Sequence, residues 1–298
     1  MPASAFPLSN GASLLHDAGM NESFIRLTVF FTVFAIMAVA EALAPRRRLS
    51  FGRRRWLANL LIVFISSLLV RLLPIASAGS VAIWAQTHHF GLFNLLAWPS
   101  TLTVACTVIL LDLAIYAQHM MFHAVPVLWR LHLVHHADRD MDVSTGLRFH
   151  PFEIILSVLI KMVVVAVLGA PLLAVLLFEM VLNGMAMFNH ANVRLPLKVD
   201  AVIRQLLVTP DMHRVHHSII RHETNSNYGF NLSIWDRLFS TYRAQPEAGH
   251  DAMRIGLEHL QYAPTHSLTY MLYLPFLDQI GQYPMLRGKL RQQEDRDV

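Results

Sequence analysis

Between positions 119 and 136 the chain reads HMMFHAVPVLWRLHLVHH, which puts five imidazoles within eighteen residues, and HRVHH at 213–217 supplies three more. His119 and His123 are four apart, so a continuous helix projects both from one face. His132, His135 and His136 fall at i, i+3 and i+4, and His213, His216 and His217 repeat that pattern. Neutral imidazole is the commonest nitrogen ligand of transition metals. Three helical faces carrying these groups could surround two metal ions, and they exceed the needs of a single zinc, structural or catalytic. Imidazole suits zinc, copper, iron and nickel alike, so spacing leaves the element open. A lone histidine on an apolar helix is usually a core or interface residue, and His16, His88, His89, His250, His259 and His266 read that way. The clustered set does not, because ionisable groups are rare at membrane depth.

The elements that must position these residues are apolar. Of 298 residues, 54% are hydrophobic and only 15% charged, and the mean hydropathy is +0.43. That composition describes an integral, multi-pass membrane protein rather than an average soluble domain. A first span runs from Phe24 to about Leu43, followed by PRRRLSFGRRRW, whose six arginines and closing Trp56 mark a cytoplasmic loop. A second span covers about Leu57 to Leu73, ends or bends at Pro74, and continues to Trp84 as an Ala/Ser/Gly-rich stretch. The connection 86–100 holds no Lys or Arg, as an external loop should, and a third span from Thr101 returns inward with His119 and His123 at its inner end. Two apolar runs between Phe152 and Phe188, parted by Gly169, Ala170 and Pro171, form a hairpin that brings His190 back to the same side. The first of these runs is short and carries Glu153 and Lys161, so either it packs against protein or it spans incompletely. Parity and the arginine loop thus agree on a histidine site at the cytoplasmic face, which for a bacterial protein means the inner membrane.

The fold expected is an all-α, polytopic membrane helix bundle of four to five spans or hairpin helices, with a cytoplasmic helical cap that holds a poly-histidine dimetal site. Residues 1–298 read as a single domain, with membrane helices over 24–188 and a mainly cytoplasmic cap over 189–298. The stretch 267–280 is too short to span and is broken by Pro275, which suits an interfacial or protein-packed helix. The first residues lack a basic region followed at once by an apolar one, so a polar lead-in rather than a cleaved signal is expected, and the tail 287–298 reads as frayed. Cys106 is the single cysteine, which excludes an intramolecular disulfide, a thiolate cluster and a C-x-x-C redox pair; any metal is held by N and O ligands. The formal charge of +4 is explained by basic residues flanking apolar segments, so no nucleic-acid partner is implied.

The ordered series HMMFH, HLVHH, RFHP, FNHAN, HRVHH and NYGFNLSIWDRLFSTY, from about Asp112 to Tyr242, resembles the fatty-acid hydroxylase and sterol desaturase superfamily. Its members are membrane-bound, non-haem diiron oxidoreductases that use dioxygen to hydroxylate or desaturate lipids. The resemblance implies two iron ions as cofactors, O2 as co-substrate, and a metal-ligand set of His119, His123, His132, His135, His136, His213, His216 and His217, with His190 as a ninth. His150 in RFHPFE is implied either as a ligand or as a donor behind one, and Asp112 as a carboxylate that orients an imidazole N–H, its alternative being a buried ion pair with an arginine. Asn227 and Asn231 could hydrogen-bond ligand imidazoles. Trp235, Phe239 and Tyr242 form either a lid or a helix packed under the metal, and Asp236 and Arg237 a structural ion pair. Two departures bear on the subfamily and not on any ligand: Met120 stands where a basic residue is more usual, and FST at 239–241 where FGT is.

The reaction implied is O2-dependent oxidation of a lipid C–H bond. The hairpin 152–188 would wall the substrate slot. No C-x-x-C-H and no Rossmann glycine fingerprint is present, so electrons come from a separate protein, for which the basic loop and Arg214, Arg221 and Arg237 offer docking charge. A metal-binding membrane protein or transporter without oxygenase activity is the rival, and it predicts ligands spread through the membrane depth. A zinc hydrolase is disfavoured by the lack of HExxH.

Overall fold

The computed structural model describes residues 22–74, 77–96 and 98–285. The expected polar lead-in and frayed tail lie outside these residues. The described residues form helices, 3-10 turns and isolated bridges, with no strand among them. In order, the helices are α1 Glu22–Leu43, α2 Trp56–Leu72, α3 Ala78–Thr87, α4 Leu92–Leu95, α5 Ser100–Ala124, α6 Pro126–His136, α7 Pro151–Leu168 and α8 Leu172–His190. The remainder are α9 Leu197–Ile203, α10 Pro210–His216, α11 Arg221–Thr224, α12 Ile234–Leu238, α13 Gly249–Ala252 and α14 Leu268–Tyr273.

Five described helices are long and apolar enough to cross a membrane: Phe24–Leu43, Gly52–Leu72, Ser100–Ala124, Pro151–Leu168 and Leu172–His190. The run beginning at Pro151 therefore meets the length requirement despite Glu153 and Lys161. Lys161 and Arg26 both pair with Glu179, so the polar groups of α7 and α8 find partners inside the bundle. The stretch beyond Pro74 does not prolong the second span. It begins a separate short helix, α3, whose N-cap Ser77 accepts a hydrogen bond from Ser80 N at 3.0 Å.

Local chemistry sets the turns that matter. Val125 is extended (φ −90°, ψ 119°) because the proline after it disfavours the helical region, and Pro126 then opens α6 at its first position. This bend lets α6 fold back against α5. The turn between α7 and α8 closes as the glycine and proline suggest. Gly169 is left-handed (φ 63°) and so close to Gly91 and Phe90 that a Cβ would meet Phe90 O at 2.7 Å, while Pro171 caps α8. α14 is held by the protein: Met271 and Leu274 are fully buried in a cluster with Trp129, Leu133 and Ile62.

The loop between α6 and α7, 137–150, is buried almost throughout, which is unusual for a connection. Its polar groups are satisfied from the arginine loop. Arg55 is 1% exposed and pairs with both Asp138 and Asp142; Trp56 Nε1 donates to Asp142 at 3.0 Å; the amides of Ser50 and Phe51 donate to Asp140 at 2.9 and 2.7 Å. Arg148 donates to Val134 O at 2.8 Å and Thr265 O at 2.5 Å. Arg46 binds Asp211 and Asp251, and Arg47 donates to Met253 O at 2.9 Å. Much of the basic loop is thus a clamp on the rest of the protein.

Candidate metal centre

The nine histidines of the expected ligand set come together, all buried. His119 and His123 lie in the last two turns of α5, His132, His135 and His136 in the second half of α6, His190 is the last residue of α8, and His213, His216 and His217 close α10. The C-terminal ends of four helices, the negative poles of their backbone dipoles, thereby converge where cations would sit. Two groups form. His119, His123, His132, His136 and His216 make one; His135, His190, His213 and His217 make the other. Within each, one ligand atom per residue lies within 4.8 Å of all the others.

Each Nδ1 that finds a partner turns its Nε2 toward a group. His119 Nδ1 donates to Tyr228 O at 2.9 Å, His216 Nδ1 to Ser226 O at 2.7 Å, and His190 Nδ1 to Ala186 O at 2.7 Å. His132 Nδ1 donates to Glu153 Oε1 at 2.6 Å and His123 Nδ1 to Asn225 Oδ1 at 3.2 Å. Such contacts fix the tautomer and leave the Nε2 lone pair free for a metal. The second nitrogens are short of partners. Among the described residues His123 Nε2, His216 Nε2, His135 Nδ1, His213 Nδ1 and both nitrogens of His136 and His217 are buried without a hydrogen bond. An orphaned buried polar atom costs about 1–3 kcal/mol, so this many imply an absent binding partner.

The geometry fits a metal. His119 Nε2 and His132 Nε2 are 3.1 Å apart, His135 and His190 Nε2 3.0 Å, and His190 and His213 Nε2 3.1 Å. Two imidazole nitrogens about 2.1 Å from one ion, at right angles, lie about 3.0 Å apart. Burial, with repulsion from neighbouring imidazoles, holds His135, His136, His213, His216 and His217 well below the usual histidine range, so they are neutral, the form that ligates.

Other expected site residues are placed differently. His150 joins neither group. Its Nδ1 caps α7 by accepting from Phe152 N at 3.3 Å, and its Nε2 faces Leu272 O at 3.2 Å. Among the described residues Asp112 pairs with no imidazole and no arginine; it accepts from Trp235 Nε1 at 2.8 Å and from the amides of Leu232 and Asn231 at 3.1 and 3.3 Å. Asn227 also spends its side chain on backbone, donating to Met212 O and Arg243 O at 2.9 and 2.8 Å and accepting from Arg243 N at 2.8 Å. It supports His213 only by holding the residue before it. Asp236 and Arg237 do not pair. Asp236 accepts from the amides of Tyr228 and Gly229 at 2.7 and 2.8 Å, and Arg237 donates to Ser233 and Arg204 carbonyls. Trp235 is anchored on Asp112, Phe239 stacks on Tyr116 at 5.3 Å, and Tyr242 lies under Arg237, so none of the three covers the histidines directly.

The residues that do orient imidazoles were not singled out by the sequence. For Glu153 a signal exists: a carboxylate at the start of an apolar run needs a partner, and His132 provides it. For Asn225 and the carbonyls of Ser226 and Tyr228 none exists, because they reach the site through loop geometry alone. Of the arginines read as docking charge, Arg214 is fully buried against Asp211, and Arg221 donates to Pro284 O at 3.3 Å.

Residues 104–241 match the family described as Fatty acid hydroxylase. Among curated proteins, the chain is 33% identical over 153 residues to ornithine lipid hydroxylase OlsE of Rhizobium tropici, covering 50% of this chain and 44% of that protein. It is 31% identical over 168 residues to alkylglycerol monooxygenase of Homo sapiens, covering 56% and 36% respectively. It is 24% identical over 147 residues to cholesterol 25-hydroxylase of Rattus norvegicus, covering 49% and 48%. The chain therefore spans less than half the length of each of these relatives. No solved structure matches it.

Proposed function

We propose that this protein, whose residues 104–241 match the fatty acid hydroxylase family, carries out O2-dependent hydroxylation or desaturation of a lipid C–H bond at a diiron centre. The observation that carries the reading is the pair of buried imidazole groups with their unpartnered ring nitrogens. His119, His123, His132, His136 and His216 would hold one iron and His135, His190, His213 and His217 the other. When bound, the two ions supply the redox chemistry that activates dioxygen, with electrons from a separate donor protein and the site at the cytoplasmic face. His150, Asp112 and Asn227 are assigned supporting roles in α7 and in the loops around the site.

The chain's own residues do three things in this scheme. Glu153, Asn225 and the carbonyls of Ala186, Ser226 and Tyr228 hold imidazoles in one tautomer and one orientation, so the site is organised before a metal or substrate arrives. Burial of all nine rings excludes bulk water from a reactive centre. The apolar spans beside it give a lipid chain a route from the bilayer. A transporter would distribute its ligands through the depth of the spans, whereas these nine gather at helix ends.

The test is iron analysis of purified protein combined with reductant-dependent oxygen uptake and mass spectrometry of lipids from cells with and without the protein. About two irons per chain and a lipid product one oxygen heavier, or two hydrogens lighter, are expected. One bound zinc with no oxygen uptake in the presence of lipid would refute the assignment.

A further inference from the structure

The cap carries an apolar surface that the cytoplasmic reading of 189–298 does not explain. On α9 and the turn after it, Leu197, Val202 and Leu206 are 79%, 73% and 59% exposed; on α12 and just beyond, Leu238 and Phe239 are 65% and 49% exposed, with Ile234 beside them. The two segments form one surface. Val208 N donates to Asn231 O and Ser233 N to Leu206 O, both at 2.9 Å, and Ser233 Oγ donates to Arg204 O at 2.7 Å. Isolated apolar residues on a surface need no explanation, but a joined set of this size does.

What covers it follows from where it is attached. The loop entering α12 hangs on Asp112 through Asn231 N, Leu232 N and Trp235 Nε1. Asp112 lies in the middle of α5, twelve residues from its inner end at Ala124, which is about 18 Å along the helix axis. About 20 of the 25 residues of α5 are needed to cross the hydrocarbon, so if all the excess protrudes inward, Asp112 is still about 10 Å below the inner boundary. A segment bonded to it lies at that depth, beside the span. The charges of the surface suit this position. Asp200 pairs with Arg204 on the protein side, Arg237 turns its guanidinium over the Tyr242 ring, and the exposed Arg194 and Lys198 are basic, long enough to reach anionic headgroups.

We infer that α9, α12 and the turns joining them form an amphipathic shelf inserted in the near leaflet, with Leu197, Val202, Leu206, Ile234, Leu238 and Phe239 in contact with acyl chains. The shelf hangs on α5 through Asp112, and Phe239 leads inward through Tyr116 to Tyr228, whose ring lies 5.6 Å from His119. This inference concerns membrane placement and stands whether or not the centre is an oxygenase.

Its test uses full-length protein in vesicles of phosphatidylcholine and phosphatidylglycerol. In a Cys106→Ser background, bimane is attached at Val202→Cys, Leu238→Cys and, as a water-facing reference, Glu247→Cys. Lipids with a nitroxide on the acyl chain should quench positions 202 and 238 several-fold more than aqueous iodide does, with the reverse at 247. Iodide quenching at 202 and 238 equal to that at 247 overturns the inference, as does shielding from both quenchers, which would mean a protein cover. Hydroxyl-radical footprinting of the unsubstituted protein in the same vesicles removes dependence on the variants. Leu206 and Leu238, 59% and 65% exposed among the described residues, should be protected, and labelling at the rate of the unfolded chain overturns the proposal.

Discussion

Glu153 and His132 meet at 2.6 Å, the carboxylate at the start of the membrane-length helix α7 accepting the Nδ1 hydrogen of an imidazole on the short helix α6. The pair joins a span to the centre, and both residues are buried. A carboxylate behind a ligating histidine raises its basicity and fixes its ring, and losing such a partner typically weakens metal binding or activity about 10- to 100-fold. Glu153→Gln, which keeps an acceptor oxygen without the charge, should fall at the mild end of that range and Glu153→Ala at the severe end. Iron content and turnover of purified variants check this, and wild-type values for the alanine variant would exclude the role.

The two imidazole groups make a prediction that the family resemblance alone does not. His136 belongs to the first group and His217 to the second, and neither ring nitrogen of either residue has a hydrogen-bond partner among the described residues. His136→Ala and His217→Ala should each lower the metal content from about two ions per chain toward one, and each should abolish turnover. Iron analysis reads the first effect and lipid product the second. Loss of both ions in both variants would mean that the groups do not fill separately.

Arg55 is buried between Asp138 and Asp142 and would leave two uncompensated carboxylates if truncated. Breaking a buried ion pair from one side costs about 3–5 kcal/mol. Arg55→Met should therefore lower the unfolding temperature of the detergent-solubilised protein strongly, while Arg53→Met, on the exposed side of the same turn, should leave it nearly unchanged. Equal small effects would reduce Arg55 to a topological signal.

That contrast shows what the sequence made legible. Six arginines beside an apolar run mark the loop between two spans, and histidine spacing identifies which helix faces converge, because both depend on local order along the chain. The carboxylate partners of Arg55 and the donors to Asp112 are 83 or more residues away, and no local pattern names them. The same holds for Asn225, placed against His123 by a loop 102 residues distant. The spans, the bend at Pro126 and the nine histidines were readable; the hydrogen bonds that orient them were not.

Gly146 lies under α8 so closely that a Cβ would come within 2.4 Å of Ala186 O, the carbonyl that accepts from His190 Nδ1. Gly146→Ala must push the end of α8 away and with it His190. Lower iron occupancy with retained helical content by circular dichroism is expected, since the displacement is local. Full occupancy would mean that the 3-10 turn at 145–147 yields instead of the helix.

Asp236 gives a pH dependence with a definite sign. Burial pushes its carboxyl up to about 6, even though Thr241 and the amides of Gly229 and Tyr228 donate to it. A carboxyl whose folded pKa lies above the unfolded value near 3.8 contributes stability that is fully present below that value. The contribution is lost as pH rises through about 6, because the native state then gives up a proton it held more tightly than the unfolded chain. Asp236→Asn cannot titrate, and the histidines are common to both proteins, so the difference between the two isolates this group. The wild type's advantage in unfolding temperature should be largest below about pH 4 and shrink as pH rises to about 7. A gap that stays constant, or widens with pH, would show that the ionised form is the one the fold favours, with the hydrogen bonds outweighing burial.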